Sequence, residues 1–313
     1  MRRQHLHAFR PVCPACRGEA LTLRADVEAA DEVLDGFLDY RSCGADYPIL
    51  AGVPVIVPDP RTFLANNLLL ATSRDVPEPL SAWLGRACGQ GSAWDANRQH
   101  LSSYGADHYG PDGGRAIRLL DAARPPGGRL ALDLGCGPGA TSHALADDHQ
   151  LVLGVDLHLG LLRLAHQVLH TGVARFPVRT SGLGYRLVEA EVHLRQPERV
   201  DFWCCDATAL PFADASVDTA TSLNLVDCVP SPTLHLQELH RVLAPGGHAT
   251  LATPFDWAPH VTPPAHWLDG DGLVGALPEG LELRSRQDAP WGVFIHDRRT
   301  SSYEALLLAL QKT

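Results

Sequence analysis

A chain of 313 residues can hold one large folded domain, or a large one with a small companion. Its 45% hydrophobic content is ordinary for a globular protein, and no apolar run reaches the roughly 20 residues that a bilayer span needs. A formal charge of −10 argues against a broad nucleic-acid footprint, and 8 cysteines in so long a chain form no regular disulfide framework. The start, MRRQHLHAFRPVCPAC, carries charge without the apolar core and cleavage site of a secretion signal. A cytoplasmic chain with reduced thiols is expected.

Residues 1–58 read as a small separate unit. VCPACRG gives Cys13 and Cys16 the spacing of a metal knuckle, and YRSCGADYPILAGVPVIVP adds Cys43 after an acidic insert. Two such two-cysteine knuckles satisfy tetrahedral zinc, so a full set of thiols would be a strong signal. Here Tyr40 stands where the remaining cysteine would be. Two readings stay open: zinc with a substitute ligand drawn from His5, His7 or Asp39, or a ribbon that persists without metal. The pieces CPAC and CGADYPILAGVPVIVP resemble the small zinc-ribbon domain of the tRNA-methyltransferase activator and its bacterial relatives. That resemblance implies zinc on Cys13, Cys16 and Cys43, and a module able to dock a protein partner.

Residues 59–98 read as a helical connector. RTFLANNLLLATS and EPLSAWLGRA space their apolar residues by three and four, and RDVPEP breaks them. From 99 to 313 strands alternate with helices, which predicts an α/β domain with a mostly parallel sheet covered on both faces. The strands are expected at 130–134, 151–156, 200–204, 217–224 and 248–253. One helix is well marked: Ser231 caps it, Pro232 suits its first turn, and Gly246 and Gly247 stop it after LHLQELHRVLAP. LELRSRQD and WGVFIHD then read as a closing antiparallel pair.

The stretch GRLALDLGCGPGATSHALA runs a buried strand into Gly135, Gly137 and Gly139 and then into a helix. Glycine lets a ligand lie against the main chain, so strand, glycine loop and helix start form a cradle signature. The second strand ends on Asp156, where a carboxylate can take both hydroxyls of a ribose. The third ends in CCDATALPF, with Asp206 and Ala207 where an adenine edge would lie. The fourth ends on Asn224, and the helix after it runs into LAPGG. Taken singly, Asp206 reads equally well as a turn cap and Asp156 as an ordinary strand-end acid; the ordered set does not. A dinucleotide loop would carry a third glycine spaced for its helix, and G-x-G-x-G here lacks it.

Glycine loop, ribose acid, Asp–Ala and LAPGG in that order resemble the class I S-adenosylmethionine-dependent methyltransferases. The resemblance implies a Rossmann-like, doubly wound sheet of seven mostly parallel strands beside the ribbon unit. It places Gly135, Cys136, Gly137 and Gly139 around the methionine part, with Asp133 near its ammonium group. Asp156 and Leu157 would meet the ribose, Asp206 and Ala207 the adenine, and Asn224 the methyl end.

Five further segments are SSYGADHYG, SGLGYRLVEAEVHL, SLNLVDCVPSP, TPFDWAPHVTPPAHWLDG and WGVFIHDRRTSSYE. They resemble the methyltransferase domain of ovothiol biosynthesis, which methylates an imidazole nitrogen of a mercaptohistidine. Carried across, the acceptor residues are Tyr104, His108, Tyr109, Asn224 and Asp227, with Trp257 and Trp267 nearby. His108 reads equally as a satisfied structural histidine, and the tryptophans as core. Methyl transfer is an in-line displacement, so alignment of a neutral imidazole and capture of its other N–H supply most of what the protein must do. The expectation is N-methylation of a small histidine-derived molecule. Two alternatives stand beside it: a ribosomal-RNA guanine methyltransferase with a zinc ribbon, and a non-catalytic cofactor-binding scaffold.

Overall fold

The computed structural model describes residues 1–73, 76–111 and 113–313. A short helix, α1 (Arg3–Phe9), precedes a meander of β1 (Leu21–Ala29), β2 (Glu32–Tyr40), β3 (Ala45–Leu50) and β4 (Val53–Ile56). All four residues of β4 are buried, with no alternation. Such a strand must be covered on both faces and paired along its edge, so it cannot end a free-standing ribbon.

The connector folds as α2 (Pro60–Asn66), α3 (Leu68–Thr72), α4 (Glu78–Cys88) and α5 (Ala93–Tyr109). Helix α5 therefore runs straight through residue 98. Ser92 starts it, its hydroxyl accepting from the Asp95 N–H at 3.2 Å. The rest of the chain runs α6 (Arg115–Ala122), β5 (Gly128–Leu134), α7 (Ala140–Leu145), β6 (His149–Asp156), α8 (Leu159–Thr171), β7 (Val173–Ser181), β8 (Gly184–Glu191) and β9 (Val200–Cys205). There follow β10 (Val217–Leu223), α9 (Pro232–Val242), β11 (Leu243–Thr253), α10 (Gly270–Gly275), β12 (Leu281–His296) and β13 (Arg299–Lys312). Helix α9 starts as expected, with the Ser231 hydroxyl accepting from the Leu234 N–H.

The main sheet has 11 strands in the order β1-β2-β3-β4-β9-β6-β5-β10-β11-β13-β12. Strands β9, β6, β5, β10 and β11 are mutually parallel, and β13 runs antiparallel between β11 and β12. Five of them, β5, β6, β9, β10 and β11, fall where strands were expected. The sheet is larger than the seven strands expected because β4 adds itself parallel to β9, Val55 opposite Cys204, and carries β3, β2 and β1 with it. One apolar core also runs through both parts. Phe9 meets the buried Trp203 edge-on at 6.5 Å, and Trp203 stacks on Phe212 at 6.2 Å. Residues 1–58 thus share a sheet and a core with the rest of the chain.

The closing pair is also corrected. LELRSRQD and WGVFIHD are one continuous strand, β12, and its partner is β13. Pro290 lies between the two segments, and β12 tolerates it because it is an edge strand. Strands β7 and β8 form a separate hairpin under α5. Gly105 lets α5 pass over Phe176, since a Cβ there would lie 2.5 Å from that ring. No helix among the described residues is long and apolar enough to cross a membrane.

The joint between the two parts is pH-sensitive. Glu32 on β2 accepts from Arg2 at 2.8 Å and meets the His170 ring on α8 at 2.7 Å. The His170 hydrogen bond draws the Glu32 carboxyl down to about 2, and Glu32 in turn holds the imidazole above its usual 6.5. The carboxylate's contribution is present above its unfolded value near 4.5 and fades as pH falls towards 2. The imidazolium's contribution is full below 6.5 and is lost as pH rises through the raised folded value. Urea midpoints should therefore show the pair's largest effect between these limits, with Glu32→Gln less stable than wild type at pH 5.5 and closer to it at pH 9. An equal difference at both values would exclude a protonated His170 partner.

Candidate active site

A cavity of about 550 Å³ opens at the carboxyl ends of β5, β6, β9 and β10. Gly135 and Gly137 turn through the left-handed region there, with φ of 72° and 53°. The Gly137 N–H donates to Asp156 Oδ2 at 2.9 Å, and the His158 N–H to Oδ1 at 2.7 Å. One carboxylate thus ties the glycine loop to the end of β6 while each oxygen keeps a lone pair for a ligand. Burial raises the Asp156 pKa against the pull of those N–H donors. Leu157 lines the cavity, 40% exposed.

Asp206 caps the next turn with Oδ1, which accepts from the Thr208 N–H at 2.8 Å and its hydroxyl at 2.6 Å. Cap and cavity wall coexist, because Asp206 and Ala207 both line the space. Asn224 closes the floor past β10. It sits at φ 55°, and its Oδ1 is buried without a hydrogen-bond partner. A buried, unpaired carbonyl in a strained residue at a cavity wall is a ligand contact in waiting.

Asp133 lines the cavity, with Oδ2 accepting from the Thr141 and Ser142 hydroxyls at 2.6 Å and Oδ1 from Thr221 at 2.8 Å. These bonds pin the loop to α7 and β10 and leave Oδ1 one lone pair. Two expected cofactor contacts fall elsewhere. Cys136 is 1% exposed and packs inward among Leu162, Ala165 and Phe202. Gly139 faces the sheet, where a Cβ would lie 2.4 Å from Phe202 Cζ, and its φ is 91°. Overpacking and backbone strain then add, so Gly139→Ala should destabilise by about 3 kcal/mol in denaturant titrations. A loss under 1 kcal/mol would show that Phe202 yields.

Helix α5 roofs the cavity with His100, Tyr104 and His108, spaced by four along one face. His108 Nδ1 accepts from the Ala140 N–H at 3.3 Å, so the neutral ring presents Nε2–H, and burial lowers its pKa to about 4. His158 is neutral for the same reason, with Nδ1 accepting from the Leu161 N–H. Tyr109 does not line the cavity; its hydroxyl donates to the Pro138 carbonyl at 2.6 Å and steadies the loop from behind. Trp257 and Trp267 stack on each other at 6.3 Å outside the cavity, Trp257 half-buried against the core and Trp267 exposed.

Past Asn224 the cavity continues to Asp227, Cys228 and Asp256, with Trp291, Val293 and Ile295 of β12 as its far wall. Asp227 Oδ2 accepts from the Asp256 N–H at 2.8 Å, and burial raises its pKa. Tyr303 donates to Asp256 Oδ2 at 2.8 Å. Sequence reasoning missed His100, His158, Asp256, Tyr303 and this wall. Two signals were present: Asp256, Tyr303 and this wall lie in the segments TPFDWAPHVTPPAHWLDG and WGVFIHDRRTSSYE compared above, and Trp291, Val293 and Ile295 alternate as a strand with one apolar face.

At the other end of the molecule the sulfurs of Cys13, Cys16 and Cys43 lie within 4.8 Å of one another. Among the described residues no histidine or carboxylate joins them. Tyr40 is turned away, its hydroxyl donating to the Pro11 carbonyl at 2.8 Å. His5 is buried against the Val152 and Arg199 carbonyls at 3.2 and 3.0 Å, and His7 and Asp39 lie outside the cluster.

A family model described as a methyltransferase domain matches residues 132–251, the glycine loop through β11. Over those residues the chain is similar to methyltransferase domains. A demethylmenaquinone methyltransferase of Clavibacter sepedonicus is 29% identical over 195 residues, which cover 62% of this chain and 63% of that protein. An uncharacterized methyltransferase of Mycobacterium avium is 35% identical over 125 residues, 40% of this chain and 39% of that one. The chain thus spans about three fifths or less of these relatives' lengths. The solved S-adenosylmethionine-dependent methyltransferase of Mesorhizobium loti is 18% identical, with a TM-score of 0.44, over 64% of this chain and 99% of its own.

The cofactor of the methyltransferase domain is S-adenosylmethionine. The residues present fit it: a glycine-lined cradle, an acid with free lone pairs on β6, and an orphaned acceptor at Asn224.

Proposed function

We propose that the protein transfers a methyl group to a nitrogen of a small molecule, of which a histidine-derived imidazole is the form the resemblance favours. S-adenosylmethionine supplies an electrophilic methyl on a sulfonium. The observation that carries the acceptor reading is the far half of the cavity, where Asn224 and Asp227 adjoin the cradle and, among the described residues, no lysine or arginine lines the wall. The Asp227 carboxylate would accept the ring N–H and set the tautomer, and Asn224 Oδ1 would take a further N–H of the acceptor. The free lone pair of the other nitrogen forms the new N–C bond, and the departing sulfur keeps the electrons of the old one. The ring N–H proton then passes to the Asp227 carboxylate, which burial makes a stronger base than an exposed one. His108 and His158, neutral and fixed by backbone donors, would shape the cradle without exchanging protons.

The apolar wall of Trp291, Val293 and Ile295 favours a second reading, a quinol-like acceptor of the kind named for the demethylmenaquinone relatives. Incubation with methyl-labelled cofactor and fractionated cell extract separates the readings. Label in base-stable, water-soluble amines is the expected result. Label in the organic phase would favour the quinol, and label lost to ribonuclease would favour RNA.

The three thiols fit zinc. Sulfurs held tetrahedrally at about 2.3 Å stand about 3.8 Å apart, and Cys13 and Cys43 are 3.7 Å apart. Cys13, Cys16 and Cys43 would hold the ion and brace the base of the β2–β3 turn. Elemental analysis of protein purified with zinc present should find about one zinc per chain; none would leave a metal-free ribbon.

A further inference from the structure

The chemistry of the acceptor end narrows what it can take, an inference that rests on the methyl-transfer reading above. Among the described residues five carboxyl groups line the cavity, those of Asp133, Asp156, Asp206, Asp227 and Asp256, and no lysine or arginine does. Asp133 is occupied by three hydroxyls, and Asp156 and Asp206 belong to the cradle. Asp227 and Asp256 are left to face the acceptor.

The charged groups there are all acceptors. Asn224 Oδ1 is buried and unpaired. Asp227 and Asp256 offer carboxylate oxygens, and the Tyr303 hydroxyl spends its proton on Asp256. The donors beside them, the Asn224 amide, the Trp291 indole N–H and the Cys228 thiol that leans towards Asp227 Oδ1 at 3.9 Å, are all uncharged. The balance of charge favours a ligand that brings N–H donors and positive charge. The wall of Val261, Trp291, Val293 and Ile295 takes an apolar body, and an indole face also favours a nearby cation.

A carboxylate on the acceptor finds the opposite. It would meet no cation on the cavity wall and would approach two carboxylates in a partly desolvated space, where like charges repel most strongly. We propose that the acceptor is an organic amine without a carboxylate, its ammonium held by Asp256. On this assignment Asp256, oriented by Tyr303, is the residue that separates amines from amino acids. Applied to a histidine-derived acceptor, this selects the decarboxylated imidazolyl-ethylamine over the amino acid itself.

The test is calorimetry on the full chain saturated with S-adenosylhomocysteine, using two matched pairs: histamine with L-histidine, and tryptamine with L-tryptophan. In at least one pair the amine should bind at least tenfold more tightly than its amino acid. Asp256→Asn, a near-isosteric change at an exposed residue, should weaken that amine at least tenfold and leave S-adenosylhomocysteine affinity within twofold. Amino acids bound as well as the amines in both pairs, no binding by either amine, or an unchanged amine affinity in Asp256→Asn would each overturn the proposal. Failure of S-adenosylhomocysteine itself to bind would instead sink the methyl-transfer reading beneath it.

Discussion

Asp156→Ala is expected to weaken S-adenosylmethionine or S-adenosylhomocysteine binding between tenfold and a hundredfold, about 1.4 to 2.7 kcal/mol, by calorimetry. Two losses combine. The carboxylate would no longer accept from the ribose hydroxyls, and charge-assisted bonds of that kind contribute about 1.5–3 kcal/mol. The loop would also lose the Gly137 N–H contact that holds its turn against β6. The fold should survive, because Asp156 has no cation partner and its burial already penalises the charge. Melting within a few degrees of wild type, with affinity down, is the expected pairing. Unchanged affinity would remove Asp156 from the ribose.

Asp227→Asn should cut kcat by two to four orders of magnitude, the usual range for loss of a positioned base, with cofactor affinity within twofold. Asparagine keeps the shape, and its carbonyl can still accept from the Asp256 N–H. It cannot take a proton. The pH profile supplies an independent readout. Asp227 must be ionised to act, and burial raises its pKa, so the wild-type rate should climb with pH along a limb above the ordinary carboxylate range. The residual activity of the variant should lack that limb. A wild-type rate that is flat with pH, or a variant with normal kcat, would exclude Asp227 as the base.

The cradle was legible because its signals are local. Gly135 and Gly137 need positive φ whatever surrounds them, and Asp156, Asp206 and Asn224 each follow directly on a strand, so strand order carries them to one edge. Gly139 shows where that logic ends. Its type suited a ligand contact, but the Phe202 ring took the glycine's open side. Tyr109 likewise sits within a motif that points to the acceptor, yet its hydroxyl turns to the Pro138 carbonyl.

By itself the sequence determined the alternating strands and helices, the cap of α9, the glycine turn and the succession of acids, since these depend on backbone conformation and near neighbours. Only the tertiary structure decided the rest. It joined β4 to β9, made one strand of β12, and set Asp256 and Tyr303, 47 residues apart in the chain, on one wall beside Asp227. Those outcomes depend on pairing and burial between distant segments, whose free energy exists only once the chain has closed on itself, and no local pattern encodes it.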